Sequence, residues 1–515
     1  GRRCSTVAAA LALILGLSLA TPAAAEEPTH SPNVTHVLNH PHRARAVDGP
    51  LSGGGTDIEF ATLSVAVRDA SDTPICFDKR GRPVTSGKPC SYRYEQREFA
   101  VAGSYDNGLQ IVDITRPTAP VTVGVYDCVI RQGDVQVFTR NGRTYVTYTH
   151  DDPYTANTSS ACYQEARALG LFGDGVNPAG TFVADITDPY DPTTVSFISE
   201  RRGSHNQTVA PGGRYLYNSN SDIGRVAPAG IEVFDISDFS NPRKVYTLPL
   251  ISGLDSHDIT FNEDGTRAYS AAITHTLVLD TTNLAQPSII GRIVDPAINI
   301  HHQSDPVTLT DPTTGLPSTF LVVTDELAGA AGNAVCPGGG LHVYDITGHL
   351  ERAPVKVGAW FMPDVRFTGT GNLTCTSHVL RMYPEEKVMT IAWYNAGVRV
   401  VDISGLVGLS AGVDETAGNV GVGMRELGYA YFPNSDTWSV KTNRIEPDGS
   451  FYLYGNDLNR GLDIYRFDAG AAATADGGSW LTPDQALARA QALGVTSTSG
   501  ETGPWCLARG GLAVG

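Results

Sequence analysis

The sequence predicts an all-β protein, a seven-bladed β-propeller with four-stranded blades. Two observations lead to this fold class. A strand of the form Gly-Φ-x-Φ-Φ-Asp, where Φ is apolar, recurs seven times with small departures. Each copy lies between one apolar strand and a turn that leads to another strand, so each repeat supplies a blade. The copies are GLQIVD, GTFVAD, GIEVFD, HTLVLD, GLHVYD, GVRVVD and GLDIYR, which begin at residues 108, 180, 230, 275, 340, 397 and 461.

The aspartate that closes six of these strands is predicted to be a turn residue rather than a metal ligand. Ile or Thr follows it, and then Ser or Thr. In this context the carboxylate can accept hydrogen bonds from the next backbone N–H groups and fix the turn into the outer strand. The six residues are Asp113, Asp185, Asp235, Asp280, Asp345 and Asp402.

The two ends of the chain are predicted to differ in role. The last repeat lacks an outer strand, and PNVTHVLNH (residues 32–40) resembles the outer strand APVTVGVYD of the first repeat. We therefore expect the N-terminal strand to close the ring. Residues 1–25 have the basic start, apolar run and AAA site of a secretory signal peptide. Residues 26–470 form the predicted propeller, and residues 471–515 a tail with one short helix in TPDQALARAQALG.

Composition narrows the set of partners. The formal net charge of −17 argues against nucleic acid and anionic membranes as partners. After the signal no stretch is apolar enough to span a bilayer. We expect a secreted or extracytoplasmic monomer whose partner is a small molecule or an extracellular protein or glycan.

Seven cysteines remain after the predicted signal and should mostly pair in an oxidising compartment. In a propeller, the loops that lead into the innermost strands share one face with the loops between the second and third strands. Loop topology therefore predicts three disulfides, with Cys506 left over. The predicted pairs are Cys76–Cys90, Cys128–Cys162 and Cys336–Cys375.

The segment GLQIVDITRPTAPVTVGVYD closely resembles the LVIVD repeat of bacterial extracytoplasmic propellers. The resemblance recurs in FVADITDPYDPTTVSFIS, IEVFDISDFSNPRKVYTL and LHVYDITGHLERAPVKVGAW, and covers roughly residues 33–468. It departs from the repeat at His275, which replaces Gly, and at Arg466, which replaces Asp. The resemblance implies the propeller fold and implies no single activity.

Histidines occupy matching positions in four successive repeats, at or just before the innermost strand. They are His205, His257, His302 and His378. Because innermost strands line the central channel and begin at one mouth, these imidazoles can converge on one metal ion or one anionic ligand. The corresponding positions in the other repeats are assigned to Asp57, Asp134 and Trp438.

Further polar residues are predicted to reach the same mouth. They are His150 with Asp151 and Asp152, His301, Asp325 and Glu326, with Asp457 and His275 as further candidates. Such groups could complete a metal site or accept hydrogen bonds from its imidazoles. Three interpretations stay open: a shared site for copper, iron or zinc, a site for an organic or anionic ligand, and structural hydrogen bonding.

Two classes of function follow. The first is a secreted metal-binding propeller which, if it is an enzyme, is a metal-dependent oxidoreductase or hydrolase. The alternative is a non-catalytic extracellular module that recognises a protein or glycan. HDITFNEDGTRAY and SHNQTVAPGGRYLY are distantly similar to the selenium-binding protein/methanethiol oxidase propellers, which implies channel histidines linked with copper. The sequence contains no GxSxG or HExxH motif and no phosphate-binding loop.

Overall fold

The structure is a computed structural model. It describes residues 26–84, 87–201, 203–221, 230–250, 255–326, 339–360, 376–407, 409 and 423–471. The predicted signal peptide and C-terminal helix lie outside the described residues. So do Cys336, Cys375 and Cys506, and with them the third predicted disulfide.

The described residues form the predicted seven-bladed propeller, with antiparallel four-stranded blades in sequence order around the channel. The innermost strand of each blade is given first. Blade 1 consists of Gly55–Ala66, Tyr94–Ser104, Leu109–Asp113 and Val121–Tyr126. Blade 2 consists of Gln132–Arg140, Arg143–His150, Gly180–Asp185 and Thr193–Ser199. Blade 3 consists of Asn206–Val209, Tyr215–Ser219, Gly230–Asp235 and Arg243–Pro249.

The remaining blades follow the same order. Blade 4 consists of Asp258–Phe261, Arg267–Ala271, Thr276–Asp280 and Ser288–Ile293. Blade 5 consists of His301–Thr310, Pro317–Asp325, Leu341–Asp345 and Val355–Trp360. Blade 6 consists of Leu380–Tyr383, Val388–Ala392, Val398–Asp402 and Arg425–Tyr431. Blade 7 consists of Thr437–Lys441, Phe451–Asp457 and Gly461–Phe467, with Val34–His40 as its outer strand.

The N-terminal segment closes the ring, as predicted. Val34–His40 pairs antiparallel with Gly461–Phe467, so the outer strand of blade 7 comes from the opposite end of the chain. Just before it, Thr29–His30 pairs with Arg425–Tyr431 and adds a fifth strand to blade 6. The segment therefore covers the edges of two neighbouring blades, which leaves fewer unpaired backbone groups at the point of closure.

Apolar side chains between adjacent blades hold the ring together. One large cluster joins blades 5 and 6 around the buried pair Trp360 and Trp393. The six closing aspartates are turn residues, as predicted, because each Oδ1 accepts a hydrogen bond from the backbone N–H two positions later. These N···O distances are 2.8–3.0 Å, to Thr115, Thr187, Ser237, Thr282, Thr347 and Ser404.

Two of the predicted disulfides are present, Cys76–Cys90 and Cys128–Cys162. The second ties the loop after blade 1 to the helix Ala161–Ala168. The structure also contains two hairpins and two 3-10 turns among the described residues: His42–Arg43 with Leu51–Ser52, Cys76–Phe77 with Ser91–Tyr92, Gly348–Arg352, and Ser404–Leu406. In the part of the chain that the structure describes, no helix is long and apolar enough to cross a membrane.

Candidate metal centre

Four histidines from consecutive blades lie side by side at one mouth of the channel. They come from blades 3 to 6, and their exposed fractions are 1–2%. The centroids of neighbouring imidazoles are 4.6 Å apart for His205 and His257, 4.3 Å for His257 and His302, and 4.3 Å for His302 and His378. We refer to these four residues as the histidine ring. The structure therefore brings together all four histidines that sequence register selected.

Backbone carbonyls orient two members of the ring. Nδ1 of His257 lies 2.9 Å from the carbonyl oxygen of His302, and Nδ1 of His378 lies 2.6 Å from that of Trp438. Because a carbonyl oxygen only accepts, Nδ1 must carry the proton in both residues. Nε2 then keeps its lone pair, which is the form of imidazole that binds a metal.

His205 is held from both sides. Its Nδ1 is 3.0 Å from Oδ2 of Asp151, a buried carboxylate in the loop after the second strand of blade 2. Its Nε2 is 3.1 Å from Nε2 of Gln132, whose amide can donate a hydrogen bond to it. Asp151 thus orients an imidazole, in the way predicted for the polar residues of this face. Gln132, not Asp134, is the side chain of blade 2 that reaches the ring.

Glu326 supplies a carboxylate to the ring. It is fully buried, with Oε2 3.6 Å from Nε2 of His302 and Oε1 3.7 Å from Nε2 of His378. The hydroxyl of Tyr394 donates a hydrogen bond of 2.6 Å to Oε1. The carboxylate is therefore fixed between two imidazoles and a phenol.

The histidines of the ring are neutral because they are shielded from water. Burial lowers the pKa of His205 and of His378 to about 3. Burial and the neighbouring imidazoles lower the pKa of His257 and of His302 well below the ordinary value of 6.5. The hydrogen bond from Nδ1 of His257 to the His302 carbonyl acts in the opposite direction, but burial dominates.

Three of these side chains are close enough to hold a metal ion. His257, His302 and Glu326 each offer one ligand atom, and these atoms lie within 4.8 Å of one another. Ligand atoms about 2.1 Å from a tetrahedral zinc ion are about 3.4 Å apart. The distances of 3.6 Å and 3.7 Å from Glu326 to His302 and His378 are close to that spacing. Small side-chain movements would bring imidazole and carboxylate donors onto one ion.

Three other predicted residues lie outside the ring. Nδ1 of His150 lies within hydrogen-bond distance of the Arg131 backbone, 2.9 Å from its nitrogen and 3.2 Å from its carbonyl oxygen. Nδ1 of His301 lies 2.9 Å from the Thr276 hydroxyl, between blades 4 and 5. Oδ1 of Asp325 accepts backbone N–H groups from the loop leading into blade 5, at 3.1 Å from Asn299 and 3.0 Å from Ile300. These residues shape the loops, and Asp325 fixes the backbone next to Glu326.

Two of the three positions assigned to the blades without histidine need correction. Trp438 does flank the ring, with its indole 4.7 Å from the His378 imidazole. Asp57 and Asp134 instead line the channel further along, because their strands bulge at the start and the side chains move past the mouth. Sequence reasoning missed Gln132 and Tyr394. Tyr394 follows the second strand of blade 6 as Glu326 follows that of blade 5, so the same loop position was the available signal.

The fold and the site define a β-propeller with a cluster of histidines at one mouth of its channel. Residues 98–128, which include the third and fourth strands of blade 1 and much of its second, match the profile of the LVIVD repeat family. No curated protein matches the chain. The similarity to selenium-binding proteins is not shown by any of these matches.

Several solved structures are similar to this chain at low sequence identity. The Cps50 (Swd1) β-propeller domain of Myceliophteria thermophila is 10% identical, with 81% of this chain and 98% of that chain covered and a TM-score of 0.44. A functionally unknown protein from Desulfotomaculum acetoxidans DSM 771 is 14% identical, with 59% and 79% covered and a TM-score of 0.38. The periplasmic gluconolactonase of Pseudomonas aeruginosa is 13% identical, with 67% and 92% covered and a TM-score of 0.34.

Proposed function

We propose that the protein binds one transition-metal ion at the histidine ring, through His257, His302 and Glu326, with His378 as a further donor. The observation that carries this proposal is the approach of three ligand atoms to within 4.8 Å of one another in a fully buried site. His205 completes the ring beside His257 and is held by Asp151 and Gln132. Imidazole and carboxylate donors suit copper, iron and zinc.

The same donor set supports an enzyme. Two histidines and one carboxylate with an open position are used by zinc hydrolases and by non-haem iron oxygenases. A bound metal supplies Lewis acidity and lowers the pKa of a coordinated water. The protein's own contribution is to hold the imidazoles through backbone carbonyls and to hold Glu326 through the Tyr394 hydroxyl. We therefore propose a metal-dependent oxidoreductase or hydrolase, and the disulfides support an extracytoplasmic location.

Metal analysis of the purified protein tests this proposal. We expect about one equivalent of copper, iron or zinc per chain after reconstitution, and near-complete loss in a His257→Ala/His378→Ala variant. His349→Ala is the matched control, because His349 is an exposed histidine on the turn Gly348–Arg352. Glu326→Gln, which keeps the shape of the side chain, is the second test in case the double variant does not fold.

A protein that does not bind metal would favour the alternative function, a non-catalytic binding module. A folded wild-type protein that takes up none of the three metals, and whose melting temperature does not change when they are added, would rule out the metal site. The histidine ring would then be a structural hydrogen-bonded cluster. The protein would be better explained as a non-catalytic extracellular module that recognises a protein or glycan.

A further inference from the structure

The central channel widens into a cavity directly behind the histidine ring. The cavity has a volume of about 1200 Å³. The residue that follows each ring histidine lines it, so the cavity begins next to the ring. These residues are Asn206, Asp258, Gln303 and Val379. The turns between the first and second strands of blades 3 and 4, at residues 210–213 and 262–263, line its outer end. We refer to this cavity as the chamber.

The innermost strands place five carboxylates and two cationic side chains in the chamber wall. They are Asp57, Glu59, Asp134, Asp258, Asp305, Arg381 and Lys441. Both cations are already paired on one side of the channel. Nζ of Lys441 lies 2.8 Å from Oδ1 of Asp57 and 2.8 Å from Oε1 of Glu59, and Arg381 also contacts Glu59. Two of the five negative charges are therefore balanced by the protein itself.

The other three carboxylates, on blades 2, 4 and 5, form no ion pair with any residue that the structure describes. Asp134 accepts a hydrogen bond of 3.2 Å from the backbone N–H of Gln207. Oδ1 of Asp305 accepts from the Thr260 hydroxyl at 2.7 Å and from Gln303 at 3.1 Å. Burial raises the pKa of Asp305, and burial together with two neighbouring carboxylates raises that of Asp134. Buried carboxyl groups that have no positively charged partner favour a cationic ligand, because its charge stabilises their ionised form.

Gln207 adds an acceptor that has no hydrogen-bond partner among the described residues. Gln207 is 3% exposed and is one of the residues that line the chamber. The Thr147 hydroxyl donates a hydrogen bond of 3.2 Å to the carbonyl of Gln136, so it must accept from Nε2 of Gln207. Oε1 of Gln207 is then left as an acceptor, and no described residue donates to it. A ligand that satisfies it must carry an N–H or O–H donor.

The spacing of the carboxylates does not suit a bare metal ion. A cation such as Ca²⁺ needs six to eight oxygen ligands at about 2.3–2.6 Å. Among the described residues, the only group of three or more potential ligand side chains within 4.8 Å is the one at the histidine ring. The acceptors of the chamber come from separate blades around a wide cavity. An organic molecule with separated N–H donors matches that distribution better than a single ion.

We propose that the chamber binds a small organic ammonium compound through Asp134, Asp258, Asp305 and Gln207. Its placement behind the ring makes such a compound the substrate class of the centre, a statement that rests on the proposed metal-binding function. The binding itself does not depend on the metal. Charge-assisted hydrogen bonds from ammonium groups to carboxylates are about twice as strong as neutral ones. The wall therefore selects for cations and against anions.

Calorimetric titration with three four-carbon probes tests the selection by charge. The probes are 1,4-diaminobutane, 1,4-butanediol and succinate, which differ in charge and keep the chain length. We expect the diamine to bind about tenfold or more tightly than the diol, and succinate not to bind. Equal binding of the diamine and the diol would overturn the proposal. Binding of Ca²⁺ or Mg²⁺ without binding of the diamine would also overturn it.

Variants locate the site and separate it from the metal centre. Asp134→Asn/Asp305→Asn should raise the Kd of the diamine by about tenfold or more, whereas Asp174→Asn, at an exposed aspartate of blade 2, should not change it. Equal Kd values in these two variants would overturn the proposal. Glu326→Gln should lose the metal and keep the diamine. A wild-type protein that holds metal and does not bind the diamine disproves the chamber alone, and a metal-free protein that binds the diamine disproves the metal centre alone.

Discussion

Adjacent histidines of one strand show what distinguishes the ring from the rest of the buried polar residues. His301 and His302 both begin the innermost strand of blade 5, and neither is more than 2% exposed. Burial lowers the pKa of both. His302 faces Glu326 across 3.6 Å, whereas His301 contacts the Thr276 hydroxyl between blades 4 and 5. Burial and a lowered pKa therefore do not separate the proposed metal ligand from its neighbour, but the direction of the side chain does.

The direction follows from strand geometry. Successive residues of a strand point to opposite faces, so one of two neighbours can point to the channel while the other packs against a blade. A bulge between His301 and Gln303 shifts the register at this strand start. Bulges re-aim side chains. His302 is thereby turned to the mouth of the channel, where the imidazoles of blades 4 and 6 approach it.

The largest expected effect comes from replacing His301 and His302 one at a time. His302→Gln should reduce the metal content from about one equivalent to near zero, because it removes a ligand from the centre of the ring. His301→Gln should keep the metal and lower the free energy of unfolding by about 1 kcal/mol through its lost hydrogen bond. Elemental analysis and urea denaturation measure the two quantities. Equal metal loss in both variants would contradict the distinction.

The same contrast explains how much the sequence could predict. The ring closure and the turn role of the aspartates follow from a repeated local pattern, and both are present in the structure. The matching position of the four histidines in their repeats also predicts that they lie together, because their spacing from each strand start is nearly constant. The pattern could not show which residue of a bulged strand start faces the axis. For this reason the register pattern places Asp134 at the mouth, where Gln132 lies instead.

The loops were harder to predict than the strands. Asp325 and Glu326 are adjacent acidic residues after the same strand, and nothing in their spacing separates their roles. The structure does, because backbone N–H groups occupy Oδ1 of Asp325, while Glu326 lies between His302 and His378. Tyr394 comes from the matching loop of blade 6, and its side chain is neither a carboxylate nor an imidazole. Its role depends on contact across two blades, which a single repeat does not encode.

Buried carboxyl groups provide the second comparison. Glu326 contacts the histidine ring, and Glu200 lies outside it. Glu200 is 2% exposed, and burial together with Glu232 raises its pKa well above 4.5. Between pH 4.5 and the raised pKa, the folded state binds more protons than the unfolded state, so stability falls as pH rises by about 1.4 kcal/mol per unit. Glu200→Gln should therefore gain stability at pH 7 relative to pH 4.

Urea denaturation at pH 4 and pH 7 measures this difference. Each variant is compared with the wild-type protein at the same pH, and the difference at pH 4 is subtracted from that at pH 7, so that any pH-independent cost of the new amide cancels. Glu386→Gln is the control, because Glu386 is exposed at a turn of blade 6 and should show the same difference at both values. A gain for Glu200→Gln that is equal at pH 4 and pH 7 would show that the carboxyl is not held protonated by the fold.

The smallest expected effect tests how Glu326 is held. Tyr394→Phe removes the hydroxyl that donates to Oε1 of Glu326 at 2.6 Å and keeps the aromatic ring beside His378. Loss of a hydrogen bond to a metal-binding carboxylate weakens metal affinity by about tenfold or more. Tyr383→Phe is the matched control in the same blade, because that hydroxyl donates to the carbonyl of Thr442 at 3.1 Å, away from the ring. Competition with a chelator measures both affinities, and an equal change in the two variants would mean that the Tyr394 hydroxyl stabilises the blade rather than orienting the carboxylate.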